Sequence, residues 1–167
     1  MKRAAFLMIT FLSVVSLACA QDKPASPKAE TSGKVGAATV KITYCQPSAR
    51  NRKIMGGLVP YGEVWRTGAN EATTVEFDKP VKFEGKDVPA GKYALFTIPG
   101  ENEWTVILNK ETKQWGAYKY NEKDDLLRVK VKPTKTPAFV ETFNISTGKD
   151  EIVLKWENTA VPVKVKG

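Results

Sequence analysis

Thr39-Val40-Lys41-Ile42-Thr43-Tyr44 decides the fold. Val40, Ile42 and Tyr44 alternate with Thr39, Lys41 and Thr43, which makes one side of an extended chain apolar and the other polar. The same period returns at residues 74–77, 81–83, 92–98, 104–108, 126–131, 139–145, 152–156 and 161–165. Turn residues punctuate these runs: Glu84-Gly85-Lys86-Asp87, Pro89-Ala90-Gly91, Pro99-Gly100-Glu101-Asn102 and Ser146-Thr147-Gly148-Lys149-Asp150. No segment carries an apolar stripe at helical spacing; the nearest, residues 121–127, can begin a short helical turn with Asn-Glu-Lys-Asp-Asp. Short strands at regular spacing, each with one apolar face, predict an all-β fold. The expected architecture is a single antiparallel β-sandwich, jelly-roll-like, with a closed β-barrel as the alternative.

At 167 residues the chain holds one ordinary domain once its ends are set aside. Lys2 and Arg3 precede an apolar run followed by small residues, so residues 1–20 are predicted to be a secretory signal. Ala18-Cys19-Ala20 fits cleavage before Gln21, which gives a periplasmic or secreted chain. Leu17-Ala18-Cys19 also resembles a lipobox, with Ser16 in place of the usual branched residue, and would anchor the chain to a membrane by a lipid on Cys19. The apolar run is too short to favour a transmembrane span. Residues 21–37, rich in Pro, Ser, Ala and Lys, are expected to be a disordered linker, and the β-domain is expected at 38–167. With Cys19 outside the domain, Cys45 has no disulfide partner; it is read as a small residue at a strand end.

The formal charge is +8, and without Lys2 and Arg3 it is +6. The lysines alternate with apolar residues, as in Arg128-Val129-Lys130-Val131-Lys132, which suits solvent-facing strand positions and not a nucleic-acid patch. The chain contains no histidine, and this removes Ser-His-Asp and Cys-His catalysis and most zinc, copper and non-haem iron sites. No pattern implies a metal or a cofactor.

One stretch breaks the alternation: IMGGLVPYGEVWRTGANEATT, residues 54–74. Glycines and Pro60 free and fix its backbone, while Tyr61, Trp65, Arg66, Asn70 and Glu71 bring stacking surface and hydrogen-bonding groups. With Arg50 and Arg52 just upstream, these residues are the candidate binding set. Aromatic faces suit carbohydrate, and guanidinium forks suit carboxylate or phosphate. Trp65 is as readily a core residue as a ligand contact. Glu63 and Glu71 flank Arg66 and are the candidate carboxylates of a glycosidase-type pair, set against the plainer reading of an ion-paired strut.

The segments PSARNRKIMGGLVPYGEVWRTGANEATT, VPAGKYALFTIPGENEWTVILNK, WGAYKY and LLRVKVKP together resemble the DUF2911 family of exported bacterial proteins, frequent in Bacteroidetes. The resemblance runs from about Val40 to Trp156 and implies export and a single β-rich domain. It supplies no substrate or catalytic residue, because the family's function is undefined. Where the family commonly has Tyr-Ser-Arg-Pro-Ser, this chain has Tyr44-Cys45-Gln46-Pro47-Ser48, which argues against Cys45 as a shared nucleophile and removes one arginine from any shared anion site. The expected function is binding of a small ligand, glycan or peptide through the 50–71 surface. The alternatives are a carboxylate-dependent hydrolase of envelope polysaccharide and a structural or partner-binding envelope module.

Overall fold

The computed structural model describes residues 25–167. The expected signal segment and Cys19 lie outside them. Ten strands form two antiparallel sheets. The larger is ordered β1 (Lys28–Val35), β2 (Ala38–Cys45), β3 (Thr73–Phe77), β6 (Gly91–Ile98), β7 (Trp104–Asn109) and β8 (Asp125–Val131). The smaller is ordered β5 (Lys86–Val88), β4 (Val81–Phe83), β10 (Glu151–Lys166) and β9 (Thr134–Thr147). The two sheets pack face to face as a sandwich, and no closed barrel forms among the described residues. The period read in Val40, Ile42 and Tyr44 is the reason: these side chains are buried, and with Val75, Phe77, Leu95, Val106 and Leu108 they meet Phe83, Phe143, Leu154, Trp156 and Val163 in one apolar core.

The expected linker is a correction. From Lys28 it is an edge strand, paired with β2 along its whole length from Lys28↔Cys45 to Val35↔Ala38. β1 has few apolar side chains to announce it, because backbone pairing holds it in place. Its packing is close as well. Thr31 Oγ1 donates to Ile145 O at 2.8 Å, and a Cβ on Gly33 would collide with Thr147 Oγ1. The last two apolar runs, 152–156 and 161–165, are one strand, β10, whose pairing with β9 shifts register around Glu157. Glu157 is in the left-handed region at φ 54°, and the strand passes through this bulge without ending.

β6 is buried on both faces, since Tyr93 to Thr97 are all buried in succession. Its outer face carries a second apolar cluster, Ala72, Ala94, Phe96 and Ile107. The β7–β8 connection, residues 110–124, supplies part of its cover: Tyr120 packs edge-on against Phe96 with ring centroids 5.0 Å apart. Tyr120 Oη donates to Asp125 Oδ2 at 2.6 Å, Arg128 Nε to the same oxygen at 2.7 Å, and Arg128 Nη2 to Tyr120 Oη at 2.7 Å. Burial, then the bond to Asp125, pushes the Tyr120 phenol up to about 12. The connection ends in a 3-10 turn at Glu122–Asp124 capped by the Asn121 side chain, where the sequence suggested a helical turn.

Candidate functional site

The candidate residues lie on the chain between β2 and β3, which leaves the larger sheet at Cys45 and rejoins it at Thr73. It begins with a tight turn over Ala49–Arg52. Arg50 and Asn51 take φ of 51° and 58°, and Arg52 N donates to Ala49 O at 3.0 Å. Two successive positive φ values are what a type I′ turn demands, and for arginine the left-handed region costs about 1–2 kcal/mol. Neighbouring contacts hold the turn. Arg50 N donates to Glu141 Oε1 at 2.8 Å, while Arg52 donates from Nε to Ala49 O and from Nη2 to Ser48 O.

The glycine-rich loop follows. Gly56 N donates to Val59 O and Val59 N to Ile54 O, and the backbone N–H groups of Ile54 and Met55 reach the Glu157 carboxylate at 3.2 and 3.3 Å. The β10 bulge thus aims Glu157 at this loop, a link that nothing in residues 54–74 foretells. Trp65 then joins β6 by a two-way backbone bridge to Thr97. Its ring is core. It stacks on Trp156 at 5.9 Å, meets Trp104 and Phe143 edge-on, and donates from Nε1 to Gly68 O at 3.1 Å. Of the two readings of Trp65, the core one matches its burial.

The remaining candidates divide among separate surfaces. Arg52, Arg66 and Asn70 line one cleft of about 330 Å³, over Trp65 and Trp156. The Arg66 side chain makes no hydrogen bond or ion pair among the described residues, and its Nε is buried without a partner; its backbone carbonyl accepts from Thr73 N at 3.2 Å. No acidic side chain lies on the cleft's walls. Glu71 does not join Arg66 and Asn70 there. Asn70 sits at φ 58°, and the residue after it lines a different pocket, of about 380 Å³, on the outer face of the larger sheet. Tyr61 lines a third, of about 300 Å³, with Met55, Trp104 and Glu101. Arg50 donates from Nη2 to Ala25 O and is exposed, and Glu63 is exposed and absent from the walls of the Glu71 pocket.

In the Glu71 pocket Cys45 Sγ donates to Glu71 Oε2 at 3.7 Å. Burial pushes the thiol's pKa up; the Asn70 side chain pulls it back, and the charge and acceptor oxygen of Glu71 raise it further. A thiol held protonated is a poor nucleophile. Among the described residues no group of three or more Cys, Asp or Glu side chains is placed to hold a metal ion, and no helix is long and apolar enough to cross a membrane.

A family model described as "Protein of unknown function (DUF2911)" matches residues 26–165. The chain belongs to the DUF2911 family. The match begins just before β1, so the DUF2911 domain takes in the edge strand that composition suggested was linker. No curated protein and no solved structure matches the chain. The DUF2911 assignment carries no ligand, and the chemistry of the site rests on its geometry: an unpaired guanidinium in a cleft, beside a separate pocket with a protonated thiol.

Proposed function

We propose that this DUF2911 chain is an exported, non-enzymatic β-sandwich that binds a small anionic ligand, a carboxylate- or phosphate-bearing molecule, glycan or peptide end, in the cleft between Arg52 and Arg66. One observation carries the reading: the Arg66 guanidinium faces this cleft with no acidic partner on its walls. Arg66 is half-buried, and its buried Nε is the donor without a partner; leaving such a donor unpaired costs about 1–3 kcal/mol. An oxyanion that accepts from Arg66 offsets that cost, and a planar guanidinium suits two-point recognition. Arg52 adds charge, although its Nε and Nη2 already serve the turn. Asn70 also lines the cleft, with its Nδ2 donating to Ser26 O at 3.5 Å.

Export follows from the signal pattern of residues 1–20, with release before Gln21 or anchoring through Cys19 as its two forms. No observation favours the paired-carboxylate hydrolase, since Glu63 is not on the walls of the pocket that Glu71 lines. The test is a thermal-shift screen of residues 21–167 against organic acids, phosphates, nucleotides, peptides, envelope sugars and divalent metals. Ligands selective for the native state raise its melting temperature by linkage. Carboxylates or phosphates should raise it, and Arg66→Ala should abolish the rise. A screen in which no anion shifts the wild type would sink the proposal.

A further inference from the structure

The pocket on the outer face of the larger sheet is independent of the arginine cleft and is built differently. Thr43 and Thr74, paired across β2 and β3, stand on the outer face of the sheet, beside its apolar cluster. The β7–β8 connection closes one side: Ala72 N donates to Gln114 O and Gly116 N to Asn70 O, both at 2.9 Å.

Three features of this pocket lack a structural use. The first is charge. Lys28, Lys92 and Lys113 line the pocket, and none is within ion-pair distance of an acid among the described residues, although Glu71 lines it too. Secondly, Gln114 is 6% exposed; its Nε2 donates to Glu111 O and Asn109 Oδ1, but its Oε1 is buried with no partner. A buried acceptor left empty is unfavourable, so it marks a place for an incoming donor. Thirdly, Trp115 is 62% exposed even though the backbone bonds on either side pin it in place. Its ring is held out on a fixed ladder, whereas Trp65, Trp104 and Trp156 are all buried.

A bare inorganic anion uses only the lysines and is opposed by Glu71. A sugar acid uses the whole set: its anionic group meets the lysines, its hydroxyls donate to Gln114 Oε1 and Glu71, and its apolar ring face lies on Trp115. We propose that this pocket is a second ligand site, which takes a carboxylated or sulfated sugar residue of an acidic glycan. Its volume falls at the small end of ligand clefts, which suits one or two sugar rings.

Two readouts report on this pocket, the first as the fluorescence change that Trp115→Phe removes, since Trp65 and Trp156 lie under the arginine cleft. Trp115 is the exposed tryptophan, so its fluorescence senses a stacked ring, and Cys45 is the cysteine of residues 21–167, so its alkylation senses occupancy. Residues 21–167 should be titrated with an oligogalacturonate, a sulfated disaccharide, a neutral oligosaccharide, and acetate or sulfate alone. The acidic sugars should perturb the fluorescence and slow Cys45 alkylation, and the relative strength of the two tells carboxylate from sulfate. By calorimetry Trp115→Ala should weaken binding about tenfold. Lys92→Gln should reduce its salt dependence, and Arg66→Ala should leave it unchanged. The proposal is overturned if the neutral sugar or the bare anions do as well, or if no sugar binds. It also falls if Arg66→Ala alone abolishes binding, which would put the sugar in the arginine cleft and leave the proposed function standing.

Discussion

Replacing Trp65 with alanine separates a core residue from a ligand contact, and the structure sets the size of the effect. The indole stacks on Trp156 at 5.9 Å and 19°, and meets Phe143 at 5.3 Å and Trp104 at 6.4 Å nearly edge-on. These neighbours stand on β10, β9 and β7, so strand pairing keeps them from closing over the space left behind. Truncating a buried Trp to Ala costs about 3–5 kcal/mol, and the rigid surroundings place this site in the upper half of that range. Loss of the Nε1–Gly68 bond adds to the cost. Domains of this kind have roughly 5–15 kcal/mol in total, so the variant should lose about a quarter or more of its stability. Urea denaturation followed by far-UV circular dichroism should show a lower midpoint at unchanged slope, and the melting temperature should fall by about 10–20 °C. Trp65→Phe keeps an aromatic ring and should cost much less. A loss below about 1 kcal/mol in the alanine variant would refute the placement of Trp65 in the core.

Glu157→Ala removes the acceptor for the Ile54 and Met55 N–H groups and should cost about 2–3 kcal/mol in chemical denaturation. Glu157→Gly loses the same bonds but relaxes the left-handed backbone by about 1 kcal/mol, so the glycine variant should be the more stable of the two; the reverse order would contradict the bulge. The Tyr120 phenol has a native pKa of about 12, above its unfolded value of about 10. Its contribution is therefore fully present below pH 10 and lost as pH rises through 12, so Tyr120→Phe should lose less stability than wild type across that window. Parallel stability profiles would rule out the upward shift of the Tyr120 phenol that its burial and the Asp125 bond produce. Cys45, with its thiol pKa raised, should alkylate slowly at neutral pH and faster as pH increases, and Glu71→Gln should speed the reaction at pH 7. An unchanged rate would separate the two side chains.

Much of the sandwich was legible in the sequence because most strands bury one face, and alternation records that. Val40-Lys41-Ile42 and Val129-Lys130-Val131 show it. β1 left a weaker record, since an edge strand of Lys, Ala, Glu, Thr and Ser is held by its pairing with β2 and by the close approach of Gly33 to Thr147. The length of β10 was hidden for another reason: Glu157 has a positive φ within a strand, which no periodicity marks. At the site, composition located the polar stretch and its arginines. It did not separate Arg66 from Glu71, because the left-handed turn at Asn70 decides which cavity each one lines. The outer pocket draws Lys28, Lys92 and Lys113 from distant parts of the chain, and only the sheet order brings them together.

The most direct test of the central claim is isothermal titration of residues 21–167 and of its Arg66→Ala and Arg66→Lys variants, using citrate and inorganic phosphate as probes. The account predicts a single site in the wild type, partial binding with Arg66→Lys, which keeps charge but loses the planar fork, and none with Arg66→Ala in a protein that remains folded. Equal affinity in all three proteins, or no heat from either probe together with a large loss of stability in Arg66→Ala, would make Arg66 a strut and contradict the claim.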